Sequence, residues 1–198
     1  MEQEINYEEF GPAPGRGEAA SYGLILAAQN GNRKAFQELV REFEAIVMRV
    51  ALNITGSQEA AQEIYCQVFK DAFISLNQLC SGSSVFIWIY RLLARRCVEY
   101  CWRHPGGMDT GYSSTDPRCR LLAAVYALPP IQRVILQLKH YQGLRIRTLA
   151  EIFNATPEFV IKNLRSANVH LRSRLKVGSS TLSGPNEKNM GADDRHSE

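Results

Sequence analysis

The sequence predicts an all-α protein in which a flexible linker joins two small helical domains. Apolar residues recur at intervals of three and four along residues 21–103 and 118–176, and this spacing is typical of amphipathic helices. Residues 104–117, between the two blocks, are rich in Gly, Pro, Ser and Asp, which is the composition of a linker. The 45% hydrophobic and 22% charged content is ordinary for a globular chain.

The two ends of the chain are predicted to lie outside the folded blocks. Residues 1–20 form an expected disordered lead-in with the flexible run 11–17, and the polar residues 177–198 form an expected disordered tail. The acidic N-terminus has no basic region before an apolar stretch, and no apolar run approaches the ~20 residues of a membrane span. We therefore expect a cytoplasmic protein without membrane insertion.

Start and stop signals divide the first block into three helices. Asn32 can cap the first, Gly56 ends it and Ser57 can cap the second. Ser83 or Ser84 can cap a third helix that runs to about residue 103. The apolar faces predicted for the first two helices comprise Phe36, Leu39, Val40, Phe43, Ile46, Val47 and Val50, and then Ala61, Ile64, Val68, Phe69 and Phe73.

The second block contains the pattern of a helix-turn-helix. One helix passes through Leu121, Leu122 and Val125, and Pro129-Pro130 end it and open a second that ends near Tyr141, before Gly143. A short helix follows with Ile146, Leu149, Ala150 and Phe153. After the tight turn Asn154-Ala155, Thr156-Pro157-Glu158 makes a good helix start. The last helix should bury Val160, Leu164, Ala167, Leu171 and Leu175 and expose Glu158, Lys162, Arg165, Ser166, Val169, Ser173 and Lys176, with Arg172 at the margin.

The second block is also strongly basic. Residues 118–176 carry eleven basic and two acidic side chains, a net charge of +9 in a chain whose total is +3. Such a block fits a nucleic-acid partner, although a solvated surface has the same composition. A helix fills the major groove, and Arg and Lys near its N-terminus can reach base edges. Together with the turn spacing, the charge favours DNA binding over an ordinary helical hairpin.

At this point the chain resembles the extracytoplasmic-function (ECF) group of bacterial sigma factors. Leu128-Pro-Pro-Ile-Gln-Arg and Gly143-Leu144 look like the opening of sigma region 4, and Leu149-Ala-Glu-Ile152 follows in register. Ala28 to Phe36, Ala60 to Phe73 and Trp88-Ile-Tyr-Arg-Leu-Leu93 look like parts of region 2. Region 3 is absent and a short linker stands in its place, as in that group.

The resemblance implies a promoter-specificity subunit of RNA polymerase that needs no cofactor. Region 2 would dock on the β′ clamp helices, region 4 on the β flap, and an anti-sigma factor would be a further partner. Three sets of residues follow from it: Glu63, Gln67 and Asp71 for core polymerase; Ser83, Ser84, Trp88, Tyr90, Arg91 and Arg95 for the −10 element; and Thr156, Lys162, Arg165, Ser166 and Arg172 for the −35 element. Aromatic and cationic side chains suit a melted single strand.

The sequence departs from the family in three places. Cys66 replaces a common glutamine in the polymerase-binding helix, and Ile161 and Ser166 stand where basic residues are frequent. The loop 80–84 reads Cys-Ser-Gly-Ser-Ser, and the apolar run 85–87 follows it where polar residues are common. These changes leave open whether the loop melts the −10 element and which −35 sequence is read.

No catalytic pattern appears in the sequence, so we do not expect an enzyme. Cys97, Cys101 and His104 form a C-x3-C-x2-H string without a fourth ligand, and buried thiols are the simpler interpretation. Two alternatives to a sigma factor stay open. One is a sigma-like mimic that occupies an anti-sigma factor, and the other is an autonomous helix-turn-helix regulator.

Overall fold

The computed structural model describes residues 18–79, 83–105 and 116–180, which are helical with no strand. The all-α fold class is therefore confirmed. No helix among these residues combines the length and the apolar character needed to cross a membrane. The helices are α1 Glu18–Gln29, α2 Arg33–Thr55, α3 Gln58–Ser75, α4 Val85–Arg103, α5 Pro117–Tyr126, α6 Pro130–Tyr141, α7 Ile146–Phe153 and α8 Pro157–Ser180, with a 3-10 turn Leu76–Gln78 after α3.

The predicted caps of the first block form as side-chain hydrogen bonds. Asn32 Oδ1 accepts from the backbone N–H of Lys34 at 3.0 Å, and the Ser57 hydroxyl accepts from that of Ala60 at 3.3 Å. Ser84, rather than Ser83, caps α4. Gly56 ends α2 with a φ of 73°, a left-handed conformation that costs glycine little. These bonds satisfy backbone donors that have no partner inside the helix.

The predicted ends of the second helix of the second block, α6, are confirmed. Pro130 opens α6, which ends at Tyr141, and Gly143 follows at a φ of 63°. Asp116 caps α5. Asp116 and Pro117, which the sequence assigned to the linker, therefore belong to the start of a helix.

Several expectations at the ends of the blocks need correction. The sequence analysis identified no helix before Asn32, whereas α1 begins at Glu18, so residues 18–20 of the expected lead-in are helical. Residues 177–180 of the expected tail continue α8. The rest of the lead-in, residues 106–115 of the linker, residues 80–82 of the loop and residues 181–198 lie outside the described residues.

One hydrophobic core runs through both blocks. It contains Ile25, Leu39, Ile54, Val68, Leu93 and Cys97 of the first block together with Val134, Ile135, Leu138, Leu149 and Val160 of the second. Helix α4 contacts α2 and α3 of the first block and α6 and α7 of the second. The linker therefore joins two blocks that lie against each other.

Three apolar side chains that the sequence analysis named are exposed, and one of them, Phe73, was predicted to lie on the apolar face of its helix. Phe73 is 62% exposed, and Leu121 and Leu122 are 45% and 37% exposed. Phe73 lies at the C-terminal end of α3, where its ring meets the edge of Phe36 at 5.3 Å between centroids. Apolar spacing marks a helix face but does not say how far along the helix a neighbour covers it.

Candidate nucleic-acid and polymerase interfaces

One side of helix α8 packs against the second block, and its basic side is exposed to solvent. Val160 and Ala167 are fully buried and Leu164 is 8% exposed, so these residues attach the helix to the second block. The predicted reading residues Lys162 and Arg165 are exposed, as is Arg172 on the same helix. The helix therefore presents these three cations to solvent.

The turn before α8 has the geometry of a helix-turn-helix. Asn154 adopts a left-handed conformation with a φ of 49°, which asparagine tolerates better than most residues. The Thr156 hydroxyl accepts a hydrogen bond from the backbone N–H of Phe159 at 3.3 Å, and Thr156 is itself exposed. Thr156 is thus a helix cap, whatever it contacts in DNA.

Gln132 of α6 supports the outer part of α8. Its Nε2 donates to the Ser166 hydroxyl at 3.1 Å, and its Oε1 lies 3.0 Å from Nδ1 of His170. Ser166 is half-buried. One of the predicted −35 residues is therefore held by the protein itself, and Gln132 is a positioning residue that the sequence analysis left without a role.

The candidates for −10 binding on α4 divide into surface and core. Trp88 is half-buried, while Arg91 and Arg95 are exposed, and helical spacing places these three on one side of α4. Arg95 Nε lies 3.2 Å from Glu99 Oε1, with 61% of the Arg95 side chain exposed. Such an exposed pair contributes little to stability, so Arg95 is available to a phosphate.

Tyr90 is a correction to the candidate set. It is 1% exposed, its ring packs 4.3 Å from that of Phe86, and burial raises the pKa of its hydroxyl. It cannot stack on a base in this arrangement. Tyr90 lies three residues before Leu93 and seven before Cys97, and this helical spacing was the sequence pattern that indicated a core position.

The apolar run after the loop also has a structural explanation. Val85 is 1% exposed, and Phe86 and Ile87 are half-buried against the core. The Ser84 hydroxyl accepts from the backbone N–H of Ile87 at 3.2 Å. Ser83 remains exposed. These apolar residues thus anchor the start of α4.

The polymerase-binding candidates on α3 differ in exposure and in their hydrogen bonds within the protein. Glu63 is exposed and Gln67 is half-exposed. Asp71 instead accepts two hydrogen bonds of 2.6 Å from the Arg96 guanidinium, and those bonds hold the pKa of the Asp71 carboxyl below its usual range. Asp71 therefore ties α3 to α4, and its oxygens are already engaged.

Ile74 is a surface residue on α3 that the sequence analysis missed. It is 66% exposed, and at about 100° per residue it falls on the same side of the helix as Glu63 and Gln67. A large apolar side chain beside polar ones is common at protein interfaces. The hydrophobic spacing of α3 did not indicate this surface position, because Ile74 lies next to Phe73 in the sequence and outside the stripe of buried residues.

A cleft of about 670 Å³ lies where the two blocks meet. Ser83, Ser84, Trp88 and Arg91 line it from the first block, and Arg147, Ala150, Glu151, Asn154 and Pro157 line it from the second. Arg91 Nη2 donates to the backbone carbonyl of Glu151 at 2.9 Å. The structure therefore brings four −10 candidates next to the turn of the helix-turn-helix.

The Cys97–Cys101 pair does not assemble a metal site with His104. Both thiols are buried, burial raises the pKa of each, and His104 Nδ1 lies 3.1 Å from the Tyr100 carbonyl oxygen. Over the described part of the chain, no group of three or more His, Cys, Asp or Glu side chains could hold a metal ion. The two cysteines are core residues.

Comparison with known proteins shows the fold. No protein-family model matches the chain, and no curated protein matches it. The solved structure of CnrH in complex with the cytosolic domain of CnrY is similar, with a TM-score of 0.59 and 18% sequence identity. The match covers 80% of this chain and 98% of CnrH. This chain therefore shares the helical fold of CnrH.

Proposed function

We propose that this protein is an ECF sigma factor, which binds core RNA polymerase and directs it to promoters through −10 and −35 elements. The observation that carries the proposal is the exposed basic side of α8, which is set by a capped tight turn on a sigma-like fold. A helix held in this way can enter the major groove with its N-terminal half. The protein has no catalytic step of its own in this proposal.

The −35 element would be read by Lys162 and Arg165. Both are exposed in the first half of α8, where side chains reach base edges. Thr156 and Ser166 would position the helix, since each is engaged in a hydrogen bond within the protein. Arg172, about two turns beyond Arg165, suits a phosphate contact.

The −10 element would meet α4 and the residue that precedes its cap. Trp88 offers a half-buried aromatic face, and Arg91 and Arg95 offer cations on the same side of the helix. Stacking and phosphate contacts are the two interactions that hold a single strand. Ser83 is exposed beside them, whereas Ser84 serves as the cap of α4.

Core polymerase would bind the outer side of α3, through Glu63, Gln67 and the exposed Ile74. The β flap would contact the second block. We also propose an anti-sigma factor as a partner, because CnrH was solved in complex with the cytosolic domain of CnrY. The apolar run 85–87 was the reason to consider a sigma-like mimic. Packing explains that run, since Val85 is buried and its two neighbours pack against the core.

Run-off transcription with purified core polymerase tests the proposal. The template is the DNA upstream of the gene that encodes this chain, and a discrete transcript that depends on added protein is the expected result. Binding to duplex DNA without any transcript would point to an autonomous regulator. Capture of an anti-sigma factor without a transcript would point to a mimic.

Substitution of Arg165 provides the matched variant for the same assay. Arg165→Ala should weaken −35 binding by about 1–3 kcal/mol if the guanidinium reads a base. Arg174→Ala removes another exposed arginine, which helical spacing places on the opposite side of α8, and should change transcription much less. Equal effects of the two substitutions would remove Arg165 from the reading surface.

A further inference from the structure

A pocket of about 250 Å³ lies where the end of α4 meets the junction of α5 and α6. The described residues that line it include none of the candidates for DNA or polymerase binding, so it is separate from the surfaces discussed above. Arg133 is the one charged side chain among those lining residues. The other walls are largely apolar and aromatic, and they include Trp102, Tyr126, Leu128, Pro129 and Pro130.

Arg133 is a buried charge without an acidic partner. It is 2% exposed, and the ion pairs of the described residues all involve Arg95 or Arg96. The Arg133 guanidinium instead donates to the backbone carbonyls of Tyr126 and Ile54, and its carbon lies 4.5 Å from the centre of the Tyr126 ring. Because buried charges are normally paired with an opposite charge, these dipoles compensate Arg133 only in part.

The guanidinium of Arg133 also has unused donors. A guanidinium carries five N–H donors, and within the described residues the Arg133 Nε is buried with no hydrogen-bond partner. A buried donor in this state costs free energy that a suitable acceptor would recover. The acceptor that best matches an arginine is a carboxylate, which can form two parallel hydrogen bonds with it. The pocket therefore offers a binding position for one carboxylate.

The start of α6 adds a second positive feature. Pro129 and Pro130 line the pocket, Pro129 occupies the N-cap position, and no side chain caps this helix end. The backbone N–H groups of Ile131 and Gln132 have no partner within the helix, and the positive end of the helix dipole favours an anion. The preceding helix differs, since Asp116 caps α5 with its own carboxylate.

The walls of the pocket suit a flat ring. Tyr126 is buried, whereas Trp102, in the last turn of α4, is 65% exposed. An aromatic occupant can pack against both side chains and would cover part of the exposed indole. At about 30 Å³ for each water-sized group, the pocket holds roughly eight such groups. This volume matches a single six-membered ring that carries a carboxylate.

We propose that this pocket binds a small aromatic carboxylate, whose charged group is held by Arg133 and the start of α6 and whose ring lies against Trp102 and Tyr126. Trp102 belongs to the first block, and Tyr126 and Arg133 belong to the second. The ligand therefore contacts both blocks and stabilises the folded chain. The site is a property of the isolated chain, and its test does not depend on the proposed function.

Nuclear magnetic resonance on the purified full chain, with isotopically labelled indole nitrogens, tests the site with benzoate as the probe. The two tryptophans give two indole N–H signals, of which that of Trp102 reports on this pocket and that of Trp88 on the larger cleft. Benzoate should shift the Trp102 signal saturably and leave the Trp88 signal in place. A Trp102 signal that does not move, or equal shifts of both, would overturn the site.

Two related probes separate the contribution of the charge from that of the ring. Benzamide has the shape of benzoate without its charge, and acetate has the charge without the ring. Benzoate should bind about tenfold more tightly than either, because charge-assisted hydrogen bonds and burial of a ring each contribute at least that factor. Equal binding of benzamide would remove Arg133 from the site, and equal binding of acetate would reject the aromatic ligand class.

Three variants locate the site, with affinities measured by titration calorimetry. Arg133→Met should weaken benzoate binding about tenfold and leave benzamide binding unchanged. Trp102→Ala removes an exposed side chain, so it should fold as the wild type does and bind both ring-containing probes more weakly. Arg96→Met is the matched control, because its guanidinium bonds to Asp71 and Glu99 inside the first block, and it should bind benzoate normally.

The variants and the probes test the site independently. Unchanged benzoate affinity in Trp102→Ala, or an equal loss in Arg96→Met, would overturn the assignment of the pocket. The comparison of benzoate with benzamide on the wild-type chain tests the role of the charge even if Arg133→Met does not fold.

Discussion

Three arginines of this chain make different contacts because their surroundings differ. Arg96 is partly buried and paired with Asp71 at 2.6 Å. Arg133 is almost fully buried on backbone carbonyls, while Arg165 has no such cover and faces solvent. Only the last has a guanidinium that a ligand can reach directly. The same residue type thus ties two helices together, joins two blocks and, in the proposed function, contacts DNA.

Asp71→Asn should lower the free energy of unfolding at pH 7 by about 2 kcal/mol, because it removes charge-assisted hydrogen bonds to Arg96. The pKa of Asp71 is lowered in the folded state by those bonds. Its contribution is therefore present above the ordinary carboxyl pKa and is lost as the pH falls through the lowered value. Urea unfolding of both proteins between pH 7 and pH 3 measures the effect.

The difference in stability between wild type and Asp71→Asn should narrow as the solution becomes more acidic. A difference that stays constant over the whole range would show that Asp71 contributes by packing. Glu63→Gln, on the exposed side of the same helix, is the control and should change stability little at either end.

Side-chain caps stabilise the first turns of five helices in this fold. Asn32, Ser57, Ser84, Asp116 and Thr156 each accept a hydrogen bond from a backbone N–H in the first turn of a helix. Each such cap is worth roughly 1 kcal/mol. Two of these caps, Ser84 and Thr156, lie within the candidate sites, so a substitution there would change local stability as well as any contact of the site.

The turn at Asn154 sets the angle at which α7 and α8 meet. Asn154→Gly should keep or slightly raise stability, since glycine adopts the left-handed conformation at little cost. Asn154→Val should lower stability by about 1–2 kcal/mol, because a branched side chain is strained at a φ of 49°. Thermal unfolding by circular dichroism compares the two, and equal melting temperatures would show that the turn is not under conformational constraint.

The two blocks share one core, so their stabilities are linked. Buried residues of α2 and α4 lie in the same hydrophobic cluster as those of α6, α7 and α8. Arg133 and Gln137 add hydrogen bonds across the same boundary. Packing of the two blocks against each other therefore contributes to the stability of both.

Wild-type protein should unfold in one cooperative transition, with tryptophan fluorescence and far-ultraviolet circular dichroism changing together. Gln137→Leu should broaden or split that transition, since the blocks would then unfold more independently. Arg96→Met serves again as the control and should lower the midpoint without splitting it. Two separate transitions in the wild type would show that the shared core contributes little to cooperativity.

Local signals in the sequence were enough for the helices and for the turn before α8. Caps, glycines after helix ends and prolines at first positions act within a few residues, so they can be read along the chain. The spacing of Val160, Leu164 and Ala167 likewise identified the buried side of α8, and hence its free side. The sequence analysis missed helix α1 because neither a polar cap nor a sharp apolar stripe marks it in the sequence.

Tertiary packing decided what the sequence left ambiguous. Tyr90 is core and Phe73 is surface because of which helices lie beside them, and Arg133 is buried because the end of α2 lies against α6. No spacing within α6 says that its arginine will meet the carbonyls of a helix about 80 residues earlier. Contacts between distant segments depend on how the blocks pack. The charge of a side chain does not indicate which distant segment it will contact.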